Sequence, residues 1–242
     1  MGGRKRPRLF VSLLVLAGCL ALPGRALAGE TTGEYWPEVD LWTRLTPQFR
    51  ISSFIALSRN IETQYREGSF ILQADYAWDR RGGPYLMRRL MDEEKAAAMK
   101  VFMARGGFLL AKSLADNGAG YLERTVLLEL HVRAPLKGGL LLASRIRTDF
   151  RFLGEAHDFS WRLRYRLQAE KEYEALGTSL VPYTSVEAAY DSRSSSINRV
   201  RAIAGASASL SRRFAAEANV TYDWRSSITN LLALNTILHV YF

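Results

Sequence analysis

The stretch SWRLRYRLQAEKEY, residues 160 to 173, sets Arg162, Arg164, Arg166, Gln168 and Glu170 at every second position, with Trp161, Leu163, Tyr165, Leu167 and Ala169 between them. A period of two belongs to an extended strand, whose successive side chains point to opposite faces. One face is apolar and the other is charged, and the alternation recurs along the chain. In residues 139 to 152, Arg145, Arg147, Asp149 and Arg151 alternate with Ser144, Ile146, Thr148, Phe150 and Phe152. Further on, Arg199 and Arg201 alternate with Val200, Ala202 and Ala204, and Glu217, Asn219, Thr221 and Asp223 with Ala216, Ala218, Val220, Tyr222 and Trp224. Earlier, Glu123, Thr125, Glu129, His131 and Arg133 alternate with Leu122, Val126, Leu128, Leu130 and Val132.

Less regular strand candidates lie near 41–46, 49–59, 68–79, 100–112, 180–190 and 229–242. Turn chemistry separates several of them, at Thr46-Pro47-Gln48, Asp116-Asn117-Gly118, Pro135-Leu136-Lys137-Gly138 and Asp191-Ser192-Arg193. The chain is thus expected to be all-β. Its 242 residues suit one barrel without a second domain.

The formal charge of +9 suggests a nucleic-acid partner until the basic residues are located. Arg4, Lys5, Arg6, Arg8 and Arg25 precede residue 29, where no acid occurs. They frame an apolar run from Leu9 to Leu22, then Pro23 and the small-residue site Ala26-Leu27-Ala28, which together read as a secretory signal. Cleavage after Ala28 leaves 28 basic residues against 24 acidic ones, a charge of +4, and nucleic acid is not expected as a partner. The expected organisation is a signal peptide over 1–28 and a barrel over 29–242.

Leu16-Ala17-Gly18-Cys19 also has the letters of a lipoprotein site, where the cysteine would carry lipid; this is the alternative to cleavage after Ala28. Cys19 is the one cysteine, so a mature chain beginning at residue 29 has no thiol and no disulfide.

After residue 28 no stretch reaches the ~20 apolar residues of a membrane helix, so a membrane crossing would require a closed barrel of strands. A soluble sandwich would bury the apolar face and show the charged one to water, whereas a membrane barrel does the reverse. Three features favour the second. The strands have the roughly ten-residue length of tilted membrane strands. Aromatic residues gather near strand ends, as with Tyr76 and Trp78, Phe150 and Phe152, Tyr222 and Trp224, and Tyr241 and Phe242. The last strand alternates Leu232, Leu234, Thr236, Leu238 and Val240 up to a terminal Phe242, which resembles the signal read by the outer-membrane assembly machinery.

The expected fold is therefore an antiparallel up-and-down transmembrane β-barrel of about 10–12 strands. Eleven candidates can be counted, but a barrel entered and left from the periplasm needs an even number. Either the weak first segment is no barrel strand, giving ten, or another lies within 84–100, giving twelve. That segment, PYLMRRLMDEEKAAAMK, lacks alternation and has helix-forming composition; a helix or lid and a plain loop are the two readings.

Arginine facing lipid would cost a few kcal/mol at mid-membrane, so the rows Arg145, Arg147 and Arg151, Arg162, Arg164 and Arg166, and Arg199 and Arg201 are expected inside. Glu129, Asp149, Glu170, Glu187, Glu217 and Asp223 fall on the same inner faces, and a cross-strand lattice of guanidinium and carboxylate should fill the lumen. Arginine is in excess in this set, which would favour small anionic solutes.

Trp42, RIRTDFRF followed by RLRYRL, Pro182-Tyr183 with Glu187, and Asn198-Arg199 resemble domain of unknown function 2490 (DUF2490), a family of Gram-negative outer-membrane barrels. The resemblance runs over most of the chain, best from residue 121 onward. It implies an outer-membrane location and no settled activity; 84–100 is longer than the family's usual pattern.

Catalytic chemistry has little to rest on. His131 lies two residues from Glu129, His157 adjoins Asp158 in a turn, and His239 lies near the periplasmic end; no spacing ties them to a nucleophile. No phosphate loop, dinucleotide fingerprint or zinc pattern occurs, so no catalytic residue, metal or cofactor is expected. Three functions remain: a narrow porin-like channel or anion-binding barrel, a closed barrel serving envelope integrity, and a lipid-modifying enzyme. The expected partners are outer-membrane lipid, the barrel assembly machinery and small anionic solutes.

Overall fold

The computed structural model describes residues 31–46, 48–63, 65–78, 102–114, 122–175, 178–226 and 229–242. The expected signal sequence with Cys19, the segment 84–100 and the turn Asp116-Asn117-Gly118 lie outside these residues.

Twelve strands follow in order: β1 (Thr31–Arg44), β2 (Phe49–Asn60), β3 (Arg66–Trp78), β4 (Phe102–Ser113), β5 (Leu122–Pro135), β6 (Leu140–Leu153), β7 (Asp158–Lys171), β8 (Tyr173–Ala175), β9 (Thr178–Asp191), β10 (Ser196–Ser209), β11 (Phe214–Arg225) and β12 (Asn230–Tyr241). Short β8 continues β7 along the same partner, β9. The wall of the barrel therefore has eleven long strands among the described residues. Each is antiparallel to its sequence neighbour, and β1 closes the cylinder by pairing with β12 in parallel from Thr31↔Asn230 to Trp42↔Tyr241.

The barrel class stands, but the requirement for an even number does not hold among these residues. It assumed that both ends of the wall emerge on one side. With eleven strands, β1 starts at the rim where β12 also starts, and only a parallel seam can join them. The weak first segment is moreover a full strand beginning at Thr31, ten residues before the expected 41–46.

The alternation of β7 is realised side chain by side chain. Trp161, Leu163, Tyr165 and Leu167 are exposed on the outer face, and Ser160, Arg162, Arg164, Arg166 and Glu170 point inward. Around the equator the outer wall shows Ile55, Leu72, Phe108, Leu128, Ile146 and Leu234. Aromatic residues mark both rims: Tyr76, Trp78, Phe102 and Phe242 at one, Tyr35, Phe159, Trp161 and Trp224 at the other. Tyr76 and Trp78 meet edge to face at 4.7 Å, and Trp161 stacks on Tyr190 at 5.4 Å. An apolar band between two aromatic girdles is the polarity of a membrane-spanning barrel.

Inside, Asp75, Thr125, Glu187, Asp191, Thr221 and Asp223 are among the most deeply buried side chains. Apolar inward residues such as Leu127, Ile203 and Leu231 fill between them. Gly205 faces inward opposite Asn219, where a Cβ would lie 2.4 Å from the Asn219 Cβ; only glycine lets the two strands keep this register.

Candidate functional site

The polar lumen is the candidate site, and cross-strand register explains its construction. Directly paired residues run Arg50↔Asp75↔Arg105↔Glu129↔Arg147↔Arg164 from β2 to β7. From β7 through β9 to β11 the run is Arg166↔Glu187↔Arg201↔Asp223. Charge alternates from strand to strand, as stable cross-strand pairing requires. Along these runs it fails where β6 meets β7. Across β6 and β7, Arg145 is paired with Arg166 and Arg147 with Arg164, so four guanidinium groups form a quartet in which neither directly paired couple includes a carboxylate.

Carboxylates on both flanks hold the quartet. Glu187 accepts from Arg164 Nη2 at 2.5 Å, Arg145 Nη2 at 2.5 Å and Arg166 Nε at 2.9 Å, while only 1% of its side chain is exposed. Glu129 lies 3.3 Å from Arg147 and 3.6 Å from Arg145, and also meets Arg105 and His131. Asp149 accepts from Arg147 Nε at 2.5 Å and stands 3.6 Å from Arg164. Charge-assisted bonds of this kind orient the guanidinium planes as well as neutralising them.

The remaining anticipated residues fall into separate groups. Arg151 bridges Glu123 and Asp191, and Arg162 also binds Asp191. Asp223 gathers Arg199 at 3.5 Å, Arg201 at 3.0 Å and Arg225 at 3.2 Å. Arg133 reaches Glu170 at 3.3 Å. Glu217 accepts from the Tyr183 hydroxyl at 2.5 Å and lies 3.2 Å from His239. Phe242 is on the outer wall, with its backbone nitrogen donating to the Trp42 carbonyl at 2.9 Å.

Sequence reading missed Arg50, Asp75 and Arg105 as lattice members, and Glu38 and Asp40 on β1. Each does occupy an alternate position beside apolar neighbours, but in strands whose regularity is broken by serine, glycine or proline. Asp191, read as part of a turn, also anchors three arginines, Arg151, Arg162 and Arg193. With these acids added, the general excess of arginine becomes a local one, concentrated where β6 meets β7.

The histidines also differ in setting. His131 is 2.8 Å from Glu129. His157 sits at a positive φ of 57° in the β6–β7 turn, against Arg124. His239 is buried between Asp40, at 3.0 Å, and Glu217. Among the described residues no group of histidines, cysteines and carboxylates could hold a metal ion.

A cavity of about 410 Å³ remains in the lumen. Seven arginines line it, Arg50, Arg105, Arg145, Arg147, Arg164, Arg166 and Arg201, against three carboxylates, Glu38, Asp40 and Glu217. The acids that fix the quartet stand behind it and leave guanidinium surface facing the space. A second cavity of about 130 Å³ shares Arg105, Arg145, Arg166 and Gln168 with the first.

No curated protein matches the chain. Among solved structures, a KdgM porin aligns with 14% identity over 78% of this chain and 89% of the porin, with a TM-score of 0.41. A family model described as protein of unknown function (DUF2490) matches residues 39–231, and by that match over most of its length the chain belongs to the DUF2490 family.

Proposed function

We propose that the protein is an outer-membrane barrel that admits or binds small anionic solutes in a narrow arginine-lined lumen. The reading is supported by the composition of the larger cavity: seven guanidinium groups face it against three carboxylates, and four of the seven form the quartet of β6 and β7. Guanidinium groups recognise carboxylate and phosphate in two-point geometry, and arginine rings confer anion preference on pores. On this reading the protein acts without catalysis, membrane lipid is the partner of the outer wall, and the assembly machinery reads the last strand up to Phe242.

Purified protein in a planar bilayer under a salt gradient should give small unitary currents whose reversal potential favours anions. Arg145→Gln with Arg166→Gln should shift that potential toward cations. Currents with cation preference would contradict the reading. An absence of current would favour a closed barrel serving envelope integrity, for which the density of ion pairs around Glu129 and Glu187 is the supporting observation.

A further inference from the structure

The three carboxylates of the larger cavity are not scattered among its arginines. Glu38 and Asp40 come from β1 and Glu217 from β11, and the strand between them, β12, carries His239. Glu38 and Glu217 are both registered on Ile237, and Asp40 on His239, so the acids form one patch on the inner face of the parallel seam. In the cyclic strand order β6 and β7 lie half-way round the wall from β12 and β1. The arginine quartet and the acidic patch therefore face each other across the diameter.

Both walls have unspent polar capacity directed at the space they share. Asp40 is 3% exposed, and its Oδ1 has no hydrogen-bond partner although Oδ2 meets His239. On the cationic side Arg145 Nε and Arg201 Nε are likewise buried without partners. Among the described residues Glu38 lies within ion-pair distance of no guanidinium. Buried polar atoms ordinarily find a partner, and those that do not mark places where a ligand or water belongs.

Resting on the reading of the lumen as a solute site, we infer that its preferred occupant is dipolar: a small solute with a carboxylate or phosphate at one end and an ammonium at the other. The anionic end lies against Arg145 and Arg166, and the cationic end against Glu38 and Asp40. The cavity falls within the size range of small-molecule sites. A plain anion satisfies the quartet but leaves the acidic patch facing negative charge, which costs it affinity. A plain cation meets the reverse penalty.

Three small probes separate the cases: glycylglycine, a zwitterion at neutral pH; N-acetylglycine, an anion of nearly the same size; and glycinamide, a smaller cation. Proteoliposome swelling with the full-length protein should be about tenfold faster for glycylglycine than for N-acetylglycine, with glycinamide slowest. Glu38→Gln with Asp40→Asn should remove the advantage of glycylglycine while N-acetylglycine still enters, in protein whose heat-modifiable migration shows a folded barrel. N-acetylglycine entering as fast as glycylglycine through the unmodified protein would overturn the inference and leave the anion reading standing. Exclusion of all three probes would overturn both.

Discussion

At the residue scale, the period-two pattern reports which face a side chain occupies, and face assignment was legible for β5, β6, β7, β10 and β11. Arg145, Arg147, Arg162, Arg164 and Arg166 all turn inward as their spacing requires. What the spacing could not supply is who meets whom, because register between strands depends on turn lengths and bulges, such as the shift between Ile197 and Arg199. Glu187 illustrates the difference. Its inward position follows from its strand, but its role as the anchor of Arg145, Arg164 and Arg166 exists only after β6, β7 and β9 are aligned. Removing one partner of a buried charge cluster leaves the others uncompensated, typically at a cost of about 3 kcal/mol. Glu187→Gln should therefore lower the urea midpoint of the detergent-folded barrel, and by more than Glu172→Gln at the β7–β8 junction does. Equal midpoints for the two variants would show that the lattice adds nothing to stability.

At the scale of elements, β1 was the hardest strand to see and is the one that determines closure. Its inner face carries Glu34, Trp36, Glu38, Asp40 and Trp42, and its outer face includes Pro37, so neither face has the contrast found in β7. Large aromatics inside and a proline outside blur a period that hydrophobicity alone would detect. Tyr241 stacks on Trp42 within the lumen at 6.5 Å, while Phe242 extends onto the outer wall and ties its backbone to β1. The seam thus ends on the residue proposed to be read during assembly. Phe242→Ala should slow the appearance of the heat-modifiable form in cells and leave the ion preference of the folded protein unchanged. Normal assembly kinetics would remove Phe242 from that role.

At the scale of the whole molecule, closure changes what each charge does. An open sheet would show Arg162, Arg164 and Arg166 to water, where exposed ion pairs contribute little. Rolled into a cylinder, the same residues are packed against Glu187, Asp191 and Asp149, and the greasy face becomes the exterior. The number of strands was not legible because it is a global property: it depends on how the two ends of the wall meet, and β1 meets β12 in parallel. Every property of the lumen and the outer wall depends on this inversion of polarity. It is tested most directly by single cysteines carrying a nitroxide at positions 163, 164, 165 and 166 in bilayer-reconstituted protein, with Cys19 replaced by serine. Labels at Leu163 and Tyr165 should relax readily with dissolved oxygen and poorly with a water-soluble nickel chelate, and labels at Arg164 and Arg166 should be shielded from the oxygen-rich hydrocarbon. Strong nickel accessibility at Leu163 and Tyr165, with no alternation along the strand, would contradict it.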